Sequence, residues 1–346
     1  MDVVQLRVQN LRAHTDATYP VTARTTVITG KNGSGKTTLL EALHVALRGM
    51  SFRGGDRELL KYSEPWWRIE VETASSRRIV SFDSNRQSLQ KKFIIDDRQF
   101  GRMPASKKIP TVLFEPDNLR IIHGSPARRR YFFDNFISQI DPLYSTVLRK
   151  YERALRQRNA ALKKPGVNRD DVFVWDMALA EYGAQIINQR VLIVEQINQS
   201  LSDTYRSIAG TNDAVSLHYS HTFIDNIKQK IVNELYTQFN RDTILGFTSV
   251  GPHRHDIIFE FNNQPAVQVA SRGEVRSVVL ALKFIEVDVA IDVTGVSPVV
   301  LLDDVFAELD EVRQQRLAEK CRNSQMFITS TQAYTGIDTR SVISLD

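Results

Sequence analysis

The run Gly30-Lys31-Asn32-Gly33-Ser34-Gly35-Lys36-Thr37 satisfies the pattern G-x-x-x-x-G-K-[ST] at every position. Few short strings constrain a chain so strongly. The glycines let the backbone curl until consecutive N–H groups point inward, at phosphate oxygens. The apolar Val27-Ile28-Thr29 ahead of it reads as a strand. Lys36 to Leu47, with Leu and Ala at helical spacing, reads as a helix that opens directly on the loop. The positive end of that helix adds to the attraction for an anion. Lys36 is expected to reach the β- and γ-phosphates of a nucleotide, and the Thr37 hydroxyl to hold Mg²⁺. Gly30 through Thr38 are expected to line the ligand, so ATP and Mg²⁺ are the predicted cofactors.

A phosphate cradle of this kind needs a carboxylate to complete the magnesium shell. Pro298-Val299-Val300-Leu301-Leu302 reads as a fully buried parallel strand ending in Asp303-Asp304. Strand ends are where ligands gather in open α/β sheets. Asp303 is expected to hold the metal, directly or through water. Asp304, one residue on and so pointing the opposite way along the strand, is expected to orient or deprotonate an attacking water. Upstream, Ser271-Arg272-Gly273-Glu274-Val275-Arg276-Ser277 precedes a helical run through Val279, Leu282 and Ile285. Ser and Gly at a helix start make either an anion-receptive terminus or a plain N-cap.

Around these motifs the chain changes character. Arg68–Thr73, Arg78–Phe82 and Phe93–Asp96 read as an antiparallel meander. Ile140 to Leu155 and Trp175 to Leu201 read as two long helices joined at Lys163–Asn168, with a third helix near Asn226 to Phe239. Strand and helix alternate again at the end: Glu311 to Arg322 as helix, Met326–Thr329 and Ser341–Leu345 as strands. The expected division is an ATPase lobe over 1–120, a helical lobe over 121–240 and the rest of the ATPase lobe over 241–346. Cys321 is the only cysteine, which excludes an internal disulfide and a cysteine zinc site. His253 and His255 stand two apart, unlike the i,i+4 pair of a helical metal site, and read as structural. The sequence has no apolar run long enough for a membrane helix. Asp2 and Arg7 interrupt any secretory leader, so the expected compartment is the cytoplasm. The net charge is +5, yet residues 128–169 hold eleven Lys or Arg against three Asp or Glu. That excess suggests an acidic partner, nucleic acid first, and a solvated helix face reads the same residues equally well.

Taken in order, the motifs form a series: GKNGSGKTTLLEAL, then Gly49–Arg53, Phe114–Leu119, Gly124–Arg130, Val174-Trp175-Asp176, Gly251–Asp256, SRGEVRS and LLDDVFAELD. This series resembles the ABC-type ATPases and, within them, the RecF family of bacterial recombination mediators, over nearly the whole length. The resemblance implies an α/β fold, with an ABC-type P-loop lobe built from both chain ends and an inserted α-helical lobe. It implies an ATP-dependent homodimer in which Ser271 and Gly273, with Glu274 beside them, meet the γ-phosphate held by a second copy. Ser271 then joins Lys36 and Asp304 as the catalytic set, and Asp310 lies in the loop crossing the interface. It also implies slow, DNA-stimulated ATP hydrolysis, duplex DNA near gaps or junctions, help in loading a recombinase, and RecR- and RecO-type partners. The chain departs from the pattern at Glu274, where glutamine is common, at Ala307, where serine is common, and at His255, where an acidic residue is common. No histidine follows His255, so the switch histidine of transporter-type relatives is missing. A scaffold in another DNA-maintenance or defence system and a transporter ATPase subunit are the rival readings.

Overall fold

The computed structural model describes residues 2–221, 225–306, 309–331 and 341–345. The chain divides into two compact units, 1–118 with 286–346, and 119–285. Ala307 lies outside the described residues.

In the first unit, β1 (Val3–Leu11), β2 (His14–Pro20), β4 (Trp66–Thr73), β5 (Arg77–Asp83), β6 (Lys91–Ile95) and β7 (Arg98–Phe100) form one sheet in the order β2-β1-β4-β5-β6-β7. All its pairings are antiparallel, as the meander predicts, with β1 inserted between β2 and β4. The second sheet is parallel and draws on both ends of the chain. It holds β3 (Thr25–Thr29), β8 (Thr111–Phe114), β12 (Val299–Leu302), β13 (Met326–Ser330) and β14 (Ser341–Ser344), in the order β14-β3-β13-β12-β8. The helix α1 (Lys36–Arg48) follows β3. Its Leu39, Leu40, Leu43, Val45 and Leu47 are fully buried in one core with Val8, Ile69 and Val71 of the antiparallel sheet and Ile28, Leu301 and Phe327 of the parallel one. A helix apolar on so many sides is buried by its composition alone, and here apolar residues of both sheets join it in that core. Trp67 belongs to this core too, stacked on Phe82 with its indole N–H donated to the Asp56 carbonyl. α11 (Glu311–Lys320) covers the stretch between β12 and β13.

The second unit is mostly helical. After α2 (Arg120–His123) and α3 (Pro126–Ile140) come α4 (Tyr144–Leu162) and α5 (Arg169–Asn198), the expected long pair. Asn168 starts α5 through a reciprocal capping box with Asp171. Next are α6 (Leu201–Ala209), β9 (Val215–Ser220), α7 (Ile227–Thr237), α8 (Phe239–Leu245), β10 (Asp256–Phe261), β11 (Gln264–Pro265), α9 (Ala266–Val269) and α10 (Arg272–Thr294). β9, β10 and β11 form a small antiparallel sheet that the sequence reading did not anticipate. It also corrects the expected division. Residues 241–285, read as ATPase lobe, belong to the second unit, because β10 pairs along its length with β9. The chain returns to the first unit partway along α10. Buried Arg190 ties this unit together: it meets both oxygens of Asp134 at 2.9 Å and the Pro252 carbonyl at 2.7 Å.

Candidate nucleotide site

The loop between β3 and α1 takes the shape its glycines permit. Gly30, Gly33 and Gly35 have φ of 153°, 83° and 98°, backbone that side-chain-bearing residues rarely adopt. Space for a Cβ at Gly33 is open, with nothing within 4 Å. α1 starts at Gly35 with no side-chain cap and no acidic residue in its first turn, which leaves its leading N–H groups for an outside anion. The Lys36 ammonium folds over the loop, donating to the carbonyls of Gly30 at 2.8 Å and Lys31 at 3.0 Å. Two of its three protons are thereby used, and one remains for a ligand. The Ser34 hydroxyl oxygen is buried without a hydrogen-bond partner, an orphan polar atom inside the curl. Lys31, Asn32 and Gly33 are exposed at the tip, and Thr38 is buried in α1.

The sheet order places β13 between β3 and β12, so three strand ends converge. At the end of β12, Asp303 is only 1% exposed, and its Oδ1 accepts from the Thr37 hydroxyl at 2.7 Å. Its Oδ2 accepts from Arg53 Nη2 at 2.6 Å. Burial raises the Asp303 carboxyl above its usual range, and the bonds from Thr37 and the Arg53 charge oppose that rise. Thr329 of β13 lies against both acids, its hydroxyl 3.2 Å from Asp303 Oδ1 and 3.3 Å from Asp304 Oδ1. Oxygen donors of this kind, a hydroxyl and a carboxylate 2.7 Å apart at the mouth of a phosphate loop, suit Mg²⁺.

Asp304 is not placed by strand alternation. β12 stops at Leu302, and Asp304 sits at φ 52° with its N–H donated to Thr329 Oγ1 at 2.8 Å. A left-handed turn, not the pleat, therefore directs this exposed carboxylate.

Sequence reasoning missed three side chains here. Arg53 is one and Thr329 another, since neither stands in a linear motif with its partner. The third is His14, at the start of β2. Its Nε2 lies 3.3 Å from the Gly35 carbonyl, and its Nδ1 lies 3.2 Å from the Tyr19 hydroxyl. A carbonyl only accepts, so Nε2 carries the proton and Nδ1 accepts from Tyr19. Burial lowers the pKa of His14, in keeping with a neutral ring.

In the second unit, Ser271 and Glu274 form a reciprocal capping box at the start of α10. The Ser271 N–H donates to Glu274 Oε2 at 2.6 Å, and the Glu274 N–H donates to Ser271 Oγ at 3.3 Å. Gly273 has nothing within 4 Å of a built Cβ. Asp310, exposed, caps α11 by accepting from the Arg313 N–H at 2.9 Å. The basic segment is partly spent inside the unit. Arg129 makes paired bonds to Asp256 at 2.7 Å, Arg130 donates to the His255 carbonyl, and fully buried Arg158 joins Asp176 and Asp242. Arg149, Lys150, Arg153 and Arg156 remain exposed along α4.

Cradle, lysine, buried carboxylate and a parallel sheet drawn from both chain ends define a P-loop ATPase of the ABC type. A family model described as an AAA domain matches residues 5–317. The chain is 32% identical over 347 residues to the DNA replication and repair protein RecF of Ruminiclostridium cellulolyticum, covering 96% of this chain and 93% of that protein. Identity to RecF of Leptospira interrogans is also 32%, over 338 residues, with 96% and 92% covered. A solved structure of the recombination mediator protein RecF-ATPrS, in the RecFOR pathway, matches with a TM-score of 0.90 at 29% identity, over 99% of this chain and 95% of that one. An Smc head bound to the C-winged helix domain of ScpA shares the fold, with a TM-score of 0.55 at 14% identity over 99% and 93%. The chain belongs to the RecF family. Membership sets aside the transporter reading, and among the described residues no helix is long and apolar enough to cross a membrane.

Proposed function

We propose that the chain is an ATP-dependent DNA-binding protein of recombinational repair, in which ATP is held between two copies. The observation that carries this is the convergence of Lys36, Thr37 and buried Asp303 at one strand-end cluster. Gly30 through Thr38 wrap the phosphates, and Lys36 turns its remaining proton to them. Thr37 and Asp303 hold Mg²⁺, which when bound neutralises charge building on the phosphate oxygens. Asp304, exposed and fixed by its N–H bond to Thr329, orients or deprotonates the attacking water. One P-loop unit covers only one side of a triphosphate, so a second copy supplies Ser271, Gly273 and Glu274, with Asp310 at the crossing. The capping box gives that arrangement a physical bias. Glu274 sets a negative charge at the helix terminus that would meet phosphate, where a glutamine would make the same bond uncharged. Slow hydrolysis accords with a β13 that ends in Ile328-Thr329-Ser330 without a histidine. Duplex DNA near gaps or junctions, DNA-stimulated turnover, recombinase loading, RecR- and RecO-type partners and a cytoplasmic setting complete the reading, and all rest on the family.

Ser271→Arg fills the approach to the γ-phosphate while leaving the loop intact. Light scattering with ATP should show the wild type pairing and this variant monomeric, with nucleotide still bound to the monomer. ATP-driven pairing of the variant at wild-type strength would overturn the shared-site reading. A second reading, a nucleotide-locked scaffold indifferent to DNA, gains from the internal use of Arg129, Arg130 and Arg158.

A further inference from the structure

Arg53 closes the Gly49–Arg53 motif, to which the sequence assigns no role, yet it occupies one face of the carboxylate assigned to the metal. Its Nη2 stands 2.6 Å from Asp303 Oδ2, while Oδ1 faces Thr37. The two partners differ sharply in exposure: the arginine side chain is 45% exposed and the aspartate 1%. A carboxylate so buried is costly without a cation beside it, and Arg53 supplies that cation from the solvent side.

The approach of Arg53 is built into the fold. The Ser51 hydroxyl donates to Glu41 of α1, and the same oxygen accepts the N–H groups of Arg53 and Gly54, each at 3.0 Å. Glu41 is fully buried and is held by Arg12 at 2.7 Å. The backbone carrying Arg53 is thus pinned to the phosphate-loop helix, while its half-exposed side chain loses little burial if it swings away. The Phe52 ring, 6.0 Å from the guanidinium carbon, offers a cation–π resting place.

From this geometry we infer that Arg53 is an exchangeable counter-cation of Asp303: it neutralises the carboxylate before nucleotide arrives and yields its place to Mg²⁺. A divalent ion held by Thr37 and Asp303 would set two cations against one carboxylate, and the guanidinium, open to water, is the one able to leave. Metal entry therefore competes with the ion pair. The inference rests on the reading of Thr37 and Asp303 as the metal donors.

The test is binding of a fluorescent, non-hydrolysable ATP analogue to the full chain, titrated with Mg²⁺, for wild type, Arg53→Gln and Arg53→Lys. Removing the competing charge should lower the Mg²⁺ midpoint about three- to tenfold in Arg53→Gln, the scale of one charged hydrogen bond at a half-exposed site. Arg53→Lys, which keeps the cation, should stay near the wild type. Mn²⁺ electron paramagnetic resonance in the presence of the analogue should show the same order, read from the metal alone. An Arg53→Gln midpoint equal to or above the wild type overturns the exchange and leaves the nucleotide site standing. A wild type that binds no analogue at any Mg²⁺ concentration overturns both.

Discussion

Gly35→Ala tests the phosphate loop at its tightest point. Gly35 sits at φ 98°, and an L-residue held in left-handed backbone costs about 1–2 kcal/mol. A second cost comes from His14. A Cβ built on Gly35 overlaps Nε2 of the imidazole and falls 3.0 Å from Cε1 and 3.2 Å from Cδ2. The ring has little room to step aside, being 7% exposed and bonded at both nitrogens. Displacing it gives up two hydrogen bonds of roughly 1 kcal/mol each. Gly35→Ala should therefore destabilise the first unit by about 3–4 kcal/mol. In a His14→Ala background the same change meets no ring, and only the backbone cost of about 1–2 kcal/mol remains. The double-mutant cycle should return a coupling of about 2 kcal/mol. Urea unfolding followed by hydrogen exchange of the α1 amides reads it, and affinity for an ATP analogue should fall alongside. If Gly35→Ala costs the same in both backgrounds, His14 is not the wall of this loop and the reasoning fails.

Two further outcomes follow from the second unit and from three half-buried histidines. His44, His253 and His255 are each pulled by burial from 6.5 to about 4. Unfolded, they take up protons below pH 6.5, and folded they resist until about pH 4, so stability is complete above the upper value and is lost as pH falls between the two. The slope is about 1.4 kcal/mol per pH unit for each histidine, and urea midpoints at pH 7.5 and 5.5 that coincide would show the rings are not held neutral. Replacing Arg149, Arg153 and Arg156 by glutamine should weaken duplex binding in anisotropy titrations and flatten the log–log salt slope by about 2 to 3. An unchanged slope would favour the scaffold reading.

Much of the site was legible because its parts are local in sequence. A glycine-rich loop between an apolar strand and a helix can be read from one stretch, and so can a buried strand ending in paired acids. Most of the failures depend on neighbours far along the chain. The pairing of β9 with β10 is non-local, so residues 241–285 were assigned to the wrong unit. Alternation along β12 was extended one step too far, since nothing in Leu302-Asp303-Asp304 announces a positive φ. The S-x-x-E spacing of Ser271 and Glu274 was the one missed signal in plain view, a capping box that could have been named from the sequence.

Arg53, Thr329 and His14 are of another kind. Each acts on the phosphate loop or its carboxylate from a different place in the chain; sheet order brings Thr329 and His14 there, and an anchor on α1 brings Arg53. Because β13 lies between β3 and β12, a single hydroxyl at residue 329 meets both acids. Because β2 lies at the edge next to β1, His14 backs the glycine that starts α1. Because Glu41 sits on α1, the loop bearing Arg53 is fastened to the same helix that presents Thr37. A motif records which atoms could face the phosphates; these three contacts determine how firmly those atoms are held, and that information is in the strand order and the anchoring of the loop to α1 rather than in any short string of residues.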